Sequence, residues 1–355
     1  MPKRILTNTT LRIFLYIVVW LSHGEGECSI PEITDVPPKE IKEELALLCA
    51  TLDEDVPAKI PDRNLLIATW NLRAFGGLTE SWKCQENDSP KRDLHALRCI
   101  AEIVSRFDVI ALQEVKSNLK CLRHMLKVLA PDWGLILTDV TKGEPGNSER
   151  MAFVFDTRKV RISGLACELV VPKEQLDKIG PDALNKQFAR TPYAVSFRSA
   201  GKTFILITLH VIYGKDAEER VPELEAIAEW LAEWARDINS WDHNLITLGD
   251  FNIDRKGDRL YDAFTSTGLS IPEDLQKLPR TIFSDPNKPD KNKFDDQIAW
   301  FTGNDNTPAL SLKFVRGGNF DFTKIALKSL NLTKQQLSYR ISDHYPLWAE
   351  FEVRE

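Results

Sequence analysis

Runs of apolar residues recur along the chain, and several end abruptly in polar side chains. Leu65-Leu-Ile-Ala-Thr-Trp70, Asp108-Val-Ile-Ala-Leu112, Phe204-Ile-Leu-Ile-Thr-Leu209 and Leu245-Ile-Thr-Leu-Gly249 are short and nearly continuous. That pattern predicts strands covered on both faces. Trp133–Thr138, Glu149–Phe155, a segment opened by Asp296 and the alternating stretch ending at Val353 predict further strands. So does Arg190-Thr-Pro-Tyr-Ala-Val-Ser-Phe197, where the proline cannot donate to a ladder and suits a sheet edge. Apolar positions repeat at helical spacing over 90–107, 117–130 and 216–239, with Trp230 and Trp234 one turn apart as core residues. Strands alternating with helices predict an α/β core, and no internal repeat interrupts it.

Both flanks depart from this rhythm on the N-terminal side. Lys3, Arg4 and Arg12 precede the apolar run Ile13–Leu21, followed by Ser22-His-Gly24. A basic segment, a short apolar run and small residues predict an export signal over 1–24, too short for a membrane span. Residues 25–61, with Pro31, Pro37, Pro38 and a short amphipathic helix around Lys39–Ala50, read as a covering arm or linker, leaving 62–355 as one domain.

Composition changes the picture only in part. Apolar residues at 43% and charged ones at 28% describe an ordinary globular chain. Losing three cations with the signal would take the net charge from −6 to −9, so a polyanionic partner must be attracted by local cations and bound metal. All six cysteines follow residue 24, where an exported chain can form disulfides. Their spacing fits no zinc pattern, and Cys99 falls on the apolar side of a helix as a buried thiol.

The chemistry is carried by the strand ends. Asp250 and Asn252, two positions apart after a buried strand, face one side while Phe251 turns inward. A carboxylate beside an amide suits a site that orients water and donates to a phosphoryl oxygen. Asn71 and Arg73, Glu114, Glu149, His210, Asp296, and Asp343 with His344 stand at other strand ends. A histidine there is placed for proton transfer near neutral pH, and an arginine for a phosphate contact.

Taken together and in order, Trp70-Asn71, Gln113-Glu114, His210, Gly249-Asp-Phe-Asn252 and Ser342-Asp-His344 resemble the endonuclease/exonuclease/phosphatase superfamily. Within it the chain looks closest to the deoxyribonuclease I group, over roughly Leu65 to Val353. The resemblance implies a four-layer α/β sandwich of two packed mixed β-sheets flanked by helices. It implies Glu114 as principal divalent-metal ligand with Asn71 and Asp343, and two histidine–acid pairs, His210 with Glu149 and His344 with Asp296. It further implies Asp250 acting on the water, Asn252 on a phosphoryl oxygen, and Arg73 and Arg190 as phosphate contacts. Oxygen donors favour Mg2+ or Mn2+, with Ca2+ as a candidate structural ion.

The expected activity is therefore that of a secreted, monomeric, metal-dependent endonuclease on DNA, with RNA cleavage left open. Two alternatives stand beside it: a sphingomyelinase-like or inositol-phosphate-type phosphoesterase on the same core, and a non-catalytic module that keeps the fold. The resemblance breaks at Asn147-Ser148, where the deoxyribonuclease I group has a groove-packing tyrosine, and after Val160, where Cys167 lacks the partner of a bridged loop. The first departure bears on grip of duplex DNA, the second on stability and calcium dependence.

Overall fold

The computed structural model describes residues 30–141, 148–169, 190–214, 216–237, 241–303 and 307–354. The export signal, Cys28, the turn at 143–146 and Asn147 lie outside them. Twelve strands form two six-stranded sheets. In the first, β1 (Asn64–Phe75), β2 (Val109–Lys116), β3 (Trp133–Leu137), β4 (Glu149–Asp156), β11 (Lys313–Asn319) and β12 (Leu347–Glu352) run in the order β11-β12-β1-β2-β4-β3. The second orders β5 (Arg161–Glu168), β6 (Tyr193–Ser199), β7 (Lys202–His210), β8 (Leu245–Asp250), β9 (Leu269–Ser270) and β10 (Asp296–Phe301) as β5-β6-β7-β8-β10-β9. Among the strands of the described residues only β1–β2 and β7–β8 pair in parallel, so both sheets are mixed.

The continuous apolar runs are explained by burial of both faces. Along β1, Leu65 and Ile67 enter the core between the sheets, with Val109, Phe153, Phe197 and Phe204. Leu66, Ala68 and Trp70 point the other way, into a core shared with the helices. Those helices are α1 (Lys39–Asp55), α2 (Leu94–Val104) and α3 (Lys120–Leu129). Asp93 starts α2 by accepting the Ala96 N–H, an N-cap directly ahead of the buried Leu94, Ala96 and Leu97. On the second sheet α4 (Val221–Arg236) buries Leu224, Ile227, Ala228 and Leu231, while Trp230 and Trp234 lie half-buried against them. The result is the expected four-layer sandwich.

In the N-terminal segment, Leu48 and Leu52 of α1 are fully buried in the cluster that holds Trp70 and Ile100. One expectation is corrected. The Tyr193–Ser199 strand is internal, because the unforeseen β5 covers its outer side; Pro192 precedes it and accepts Leu169 N–H through its carbonyl. The five described cysteines are all free thiols, Cys99 buried as expected. No helix among the described residues is long and apolar enough to cross a membrane.

Candidate active site

The two parallel pairs bring the polar strand ends together. Asn71 stands opposite Gln113 on β1–β2, and His210 opposite Asp250 on β7–β8. Parallel neighbours finish at the same edge, and antiparallel neighbours start there. Glu149 opens β4, Asp296 opens β10 opposite Asp250, and Asp343 and His344 lie just ahead of β12.

Contacts between the sheets join these ends into one buried cluster. The Asn71 amide Nδ2 donates to Asp250 Oδ2 at 2.9 Å and to Glu114 Oε1 at 3.1 Å. His344 Nδ1 lies 2.7 Å from Asp296 Oδ2, and His210 Nε2 lies 3.8 Å from Asp250 Oδ2. Ser342 couples the two sides of the first sheet, its hydroxyl donating to Asn71 O and accepting from His344 N–H. Beneath them Gln113 Nε2 contacts Thr69 and Thr208 hydroxyls, tying the two sheets directly under the cluster.

The backbone is bent to present these groups. Glu114, Asn252, Arg73 and Ala74 have φ of 59°, 49°, 25° and 50°. Non-glycine residues rarely adopt such angles, and their concentration here is strain held by the surrounding structure. Gly249 has φ +147°, and a Cβ there would sit 2.0 Å from Leu209 O. Only glycine lets β7 and β8 approach closely enough to set His210 beside Asp250.

The electrostatics separate the two histidines. Burial and the Arg190 charge hold His210 below its usual range, so the ring is neutral near pH 7. Burial acts the same way on His344, but the charge and hydrogen bond of Asp296, aided by Asp250, raise it well above its usual range. Asp296 itself is pushed up to about 6 by burial, with His344 opposing. At neutral pH the pair is therefore imidazolium and carboxylate. Burial would raise Glu114, yet it is held below the ordinary range; with His210 neutral, the Ala74 N–H, the Asn71 amide and the His344 charge supply that effect. Asp250 is likewise lowered against burial, by the His344 charge, the Asn71 amide and the Asn252 N–H.

Some expected partnerships are rearranged. Arg73 Nη1 donates to Asp343 Oδ2 at 2.8 Å and to Ser338, so the expected phosphate contact and one expected metal ligand form an ion pair. Arg190 is buried and donates through Nε to Glu149 Oε2 at 2.6 Å. Lys116 takes the other Glu149 oxygen. Glu149 lies 3.5 Å from His210 Nδ1, which has no hydrogen-bond partner. Asn252 donates through Nδ2 to Val211 O, and its N–H to Asp250 Oδ1.

A divalent cation fits this donor set. Asp250, Asp296 and His344 offer ligand atoms within 4.8 Å of one another, and Asp296 Oδ1 is buried without a hydrogen-bond partner. Within the cluster, however, His344 is charged and its Nδ1 is engaged by Asp296, and a protonated ring cannot ligate. The Asn71 amide protons lie between the Glu114 and Asp250 carboxylates, placing a positively polarised group between two anions. A hard cation would offset those charges more strongly.

Two buried arginines escaped the sequence reading. Arg92 donates to the carbonyls of Leu72, Arg73 and Ala74 and to those of Arg340 and Ile341. It thereby clamps the bent end of β1 to the segment that leads into Ser342-Asp343-His344. Arg280 donates to Asp296 O, Leu275 O, Leu278 O and Gln297 Oε1, while Tyr345 N–H returns to Arg280 O. An arginine beside a lysine before a helix reads as a solvated charge, so nothing in the pattern singled out Arg92. Asp295, buried beside this cluster and raised to about 8 by burial and the Asp250 charge, was also overlooked.

Comparison with known proteins agrees with this geometry. A "Deoxyribonuclease" of Thioalkalivibrio sp. (strain K90mix) is 24% identical over 295 residues, covering 81% of this chain and 71% of its own length. Deoxyribonuclease gamma of Rattus norvegicus is 24% identical over 200 residues, 53% of this chain and 56% of the relative. Among solved structures, the mannosyl-6-phosphatase of Bacteroides thetaiotaomicron VPI-5482 shares the fold with a TM-score of 0.53 at 21% identity, over 81% of this chain and 99% of that one. The Endonuclease/Exonuclease/phosphatase family matches residues 68–312, well over half of the sequence, and the chain belongs to it.

Proposed function

We propose that this protein is a divalent-metal-dependent endonuclease that hydrolyses phosphodiester bonds of DNA. Family membership and the acid–imidazole cluster make the site that of a phosphoester hydrolase that binds a divalent metal. The choice of nucleic acid rests on the relatives named deoxyribonuclease and on the sequence resemblance to the deoxyribonuclease I group. Export of the enzyme rests on the leader pattern alone.

The observation that carries the mechanism is the meeting of two histidines at Asp250: His210 Nε2 lies 3.8 Å from its Oδ2, and His344, held by Asp296, offers a ring nitrogen within 4.8 Å of it, with their pKa values pushed in opposite directions. Groups whose environments push their pKa values apart divide acid from base. Asp250, ionised and buried, orients a water, and neutral His210 beside it accepts the proton as the water oxygen bonds to phosphorus. The P–O bond to the leaving group breaks on the opposite side, and the His344 imidazolium gives its proton to the departing alkoxide. Asp296 holds that ring through Nδ1, leaving Nε2 to donate. Glu114, Asn71 and Asp250 would hold the metal, the Asn71 amide rotating to present its oxygen. Bound there, Mg2+ or Mn2+ would neutralise charge building on the non-bridging oxygens.

A substrate panel tests the reading: single-stranded DNA, duplex DNA, RNA, sphingomyelin vesicles and a sugar phosphomonoester, each with Mg2+. DNA cleavage into oligonucleotides is expected. Hydrolysis of sphingomyelin or the phosphomonoester with inert DNA would overturn it.

A further inference from the structure

Among the described residues, the large exposed aromatic side chains are Tyr213, Trp241, Phe283 and Tyr339, each 46–64% exposed. A single ring in water is unremarkable on any protein surface. Their placement is what calls for a cause, because three of the four adjoin the active site.

Tyr213 lies three residues beyond His210. Arg220 and Lys293 approach its ring, at 5.6 Å and 5.5 Å from the centroid, and Arg220 also donates to Asn252 O at 2.8 Å. Phe283 follows Thr281, which bridges to His344, and Ile282, whose N–H donates to Asp343 O at 2.8 Å. Tyr339 stacks on Arg73, 4.2 Å from guanidinium carbon to centroid, and that guanidinium bonds Asp343. Each of the three residues is thus bonded to, or belongs to, a different segment that carries or touches site residues: Tyr213 the His210 and Asn252 ends, Phe283 the Thr281–Ile282 stretch bridged to His344 and Asp343, and Tyr339 the β1 end with Asp343. Trp241 is elsewhere, against Gly164 of β5.

Flat apolar faces interleaved with cations around a phosphoester site match a ligand that alternates planar groups with phosphates. Nucleobases stack on such rings with little regard to sequence, each contributing enough to dominate local affinity. Inside a duplex the base faces are already stacked on one another and cannot reach a side chain. We infer that Tyr213, Phe283 and Tyr339 form a stacking rim for unpaired nucleobases flanking the scissile phosphate, so that single-stranded nucleic acid is the preferred substrate class. This rests on the nuclease reading above and deepens it.

Steady-state cleavage of three Mg2+-supplemented substrates tests the inference: a single-stranded oligodeoxynucleotide, its duplex, and the same strand with abasic nucleotides around the cut. The single strand is expected to have the lowest KM, with both other substrates weaker. Tyr213→Ala and Phe283→Ala should each raise KM for the single strand by about 5- to 150-fold, the range expected for losing one base stack. Tyr213→Phe, which keeps the ring, should behave as wild type. The turnover of a small methyl phosphodiester, which has no base to stack, should stay within about twofold in all three variants. Unchanged single-strand KM in both alanine variants, or an abasic strand bound as tightly as the normal one, would overturn the rim while leaving the nuclease reading intact. Failure to cleave any nucleic acid, with the small diester still hydrolysed, would overturn both.

Discussion

Replacing Gly249 by alanine should disable the site more than it unfolds the protein. The added Cβ would lie 2.0 Å from Leu209 O, a backbone atom with no rotamer to escape into. A carbon and a carbonyl oxygen settle near about 3.3 Å, so the strands must part by roughly 1.3 Å at this point. Leu209 faces Gly249 in the register immediately before His210 faces Asp250, so the opening falls on the two groups proposed to handle the water. A displacement of about 1 Å at reacting groups costs on the order of 100-fold in rate. Alanine at φ +147° adds backbone strain of about 1–3 kcal/mol. The assay is kcat on a phosphodiester with Mg2+, alongside urea unfolding. Gly257→Ala is the control: its φ is +75°, but nothing lies within 4 Å of the new Cβ, so it should lose stability without losing kcat. If Gly249→Ala matched Gly257→Ala in kcat, the close strand approach would have no role in placing His210 and Asp250.

Other outcomes follow from the same geometry. Arg92→Met keeps the stem but strips donors from five carbonyls; with each buried unsatisfied group costing about 1–3 kcal/mol and several affected together, urea unfolding should show a loss of about 3 kcal/mol. An unchanged midpoint would mean that water or other donors replace the clamp. Chelation by EDTA should abolish activity and lower the melting temperature, because the Glu114 and Asp250 carboxylates on either side of the Asn71 amide lose the cation that offsets them; Mg2+ at 100 times its Kd should restore about 2.7 kcal/mol. Activity should follow a bell-shaped pH profile. It falls on the acid side as His210 gains a proton, below the ordinary histidine value because its pKa is lowered, and on the alkaline side as His344 loses one, above that value because its pKa is raised. The same sign holds for stability without metal: the contribution of His344 is full below the unfolded histidine value of about 6.5 and is lost as pH rises through its higher folded value. A His344→Gln variant that kept the alkaline limb would contradict the assignment.

What the sequence could and could not disclose has physical causes. Buried strands advertise themselves through continuous apolar runs, and β1, β2, β7 and β8 were all legible for that reason. β5 was not, because its residues are mostly exposed or half-exposed and no apolar run marks it. The amphipathic stripe of α1 was visible, but a stripe does not say which surface it covers. Asp250, His210, Glu114 and His344 stood out as polar groups ending apolar runs. Their pairings were harder: Arg73 meets Asp343 from 270 residues away, and Glu149 is claimed by Arg190 and Lys116, choices set by folding rather than local pattern. Arg92 and Arg280 are least legible of all, since a guanidinium that serves mainly main-chain carbonyls leaves no mark on the spacing of residues around it.

The central claim is that acids and imidazoles from both sheets act with a divalent metal as one phosphodiester-cleaving centre. The most direct measurement is the initial rate on a single-stranded oligodeoxynucleotide with Mg2+, with EDTA, and with Mg2+ for Asp250→Asn, an isosteric change at the group both sheets share. Cleavage by the wild type only with Mg2+, reduced by about 100-fold or more in the variant, is the expected result. Equal rates with EDTA, or a variant as fast as the wild type, would contradict it.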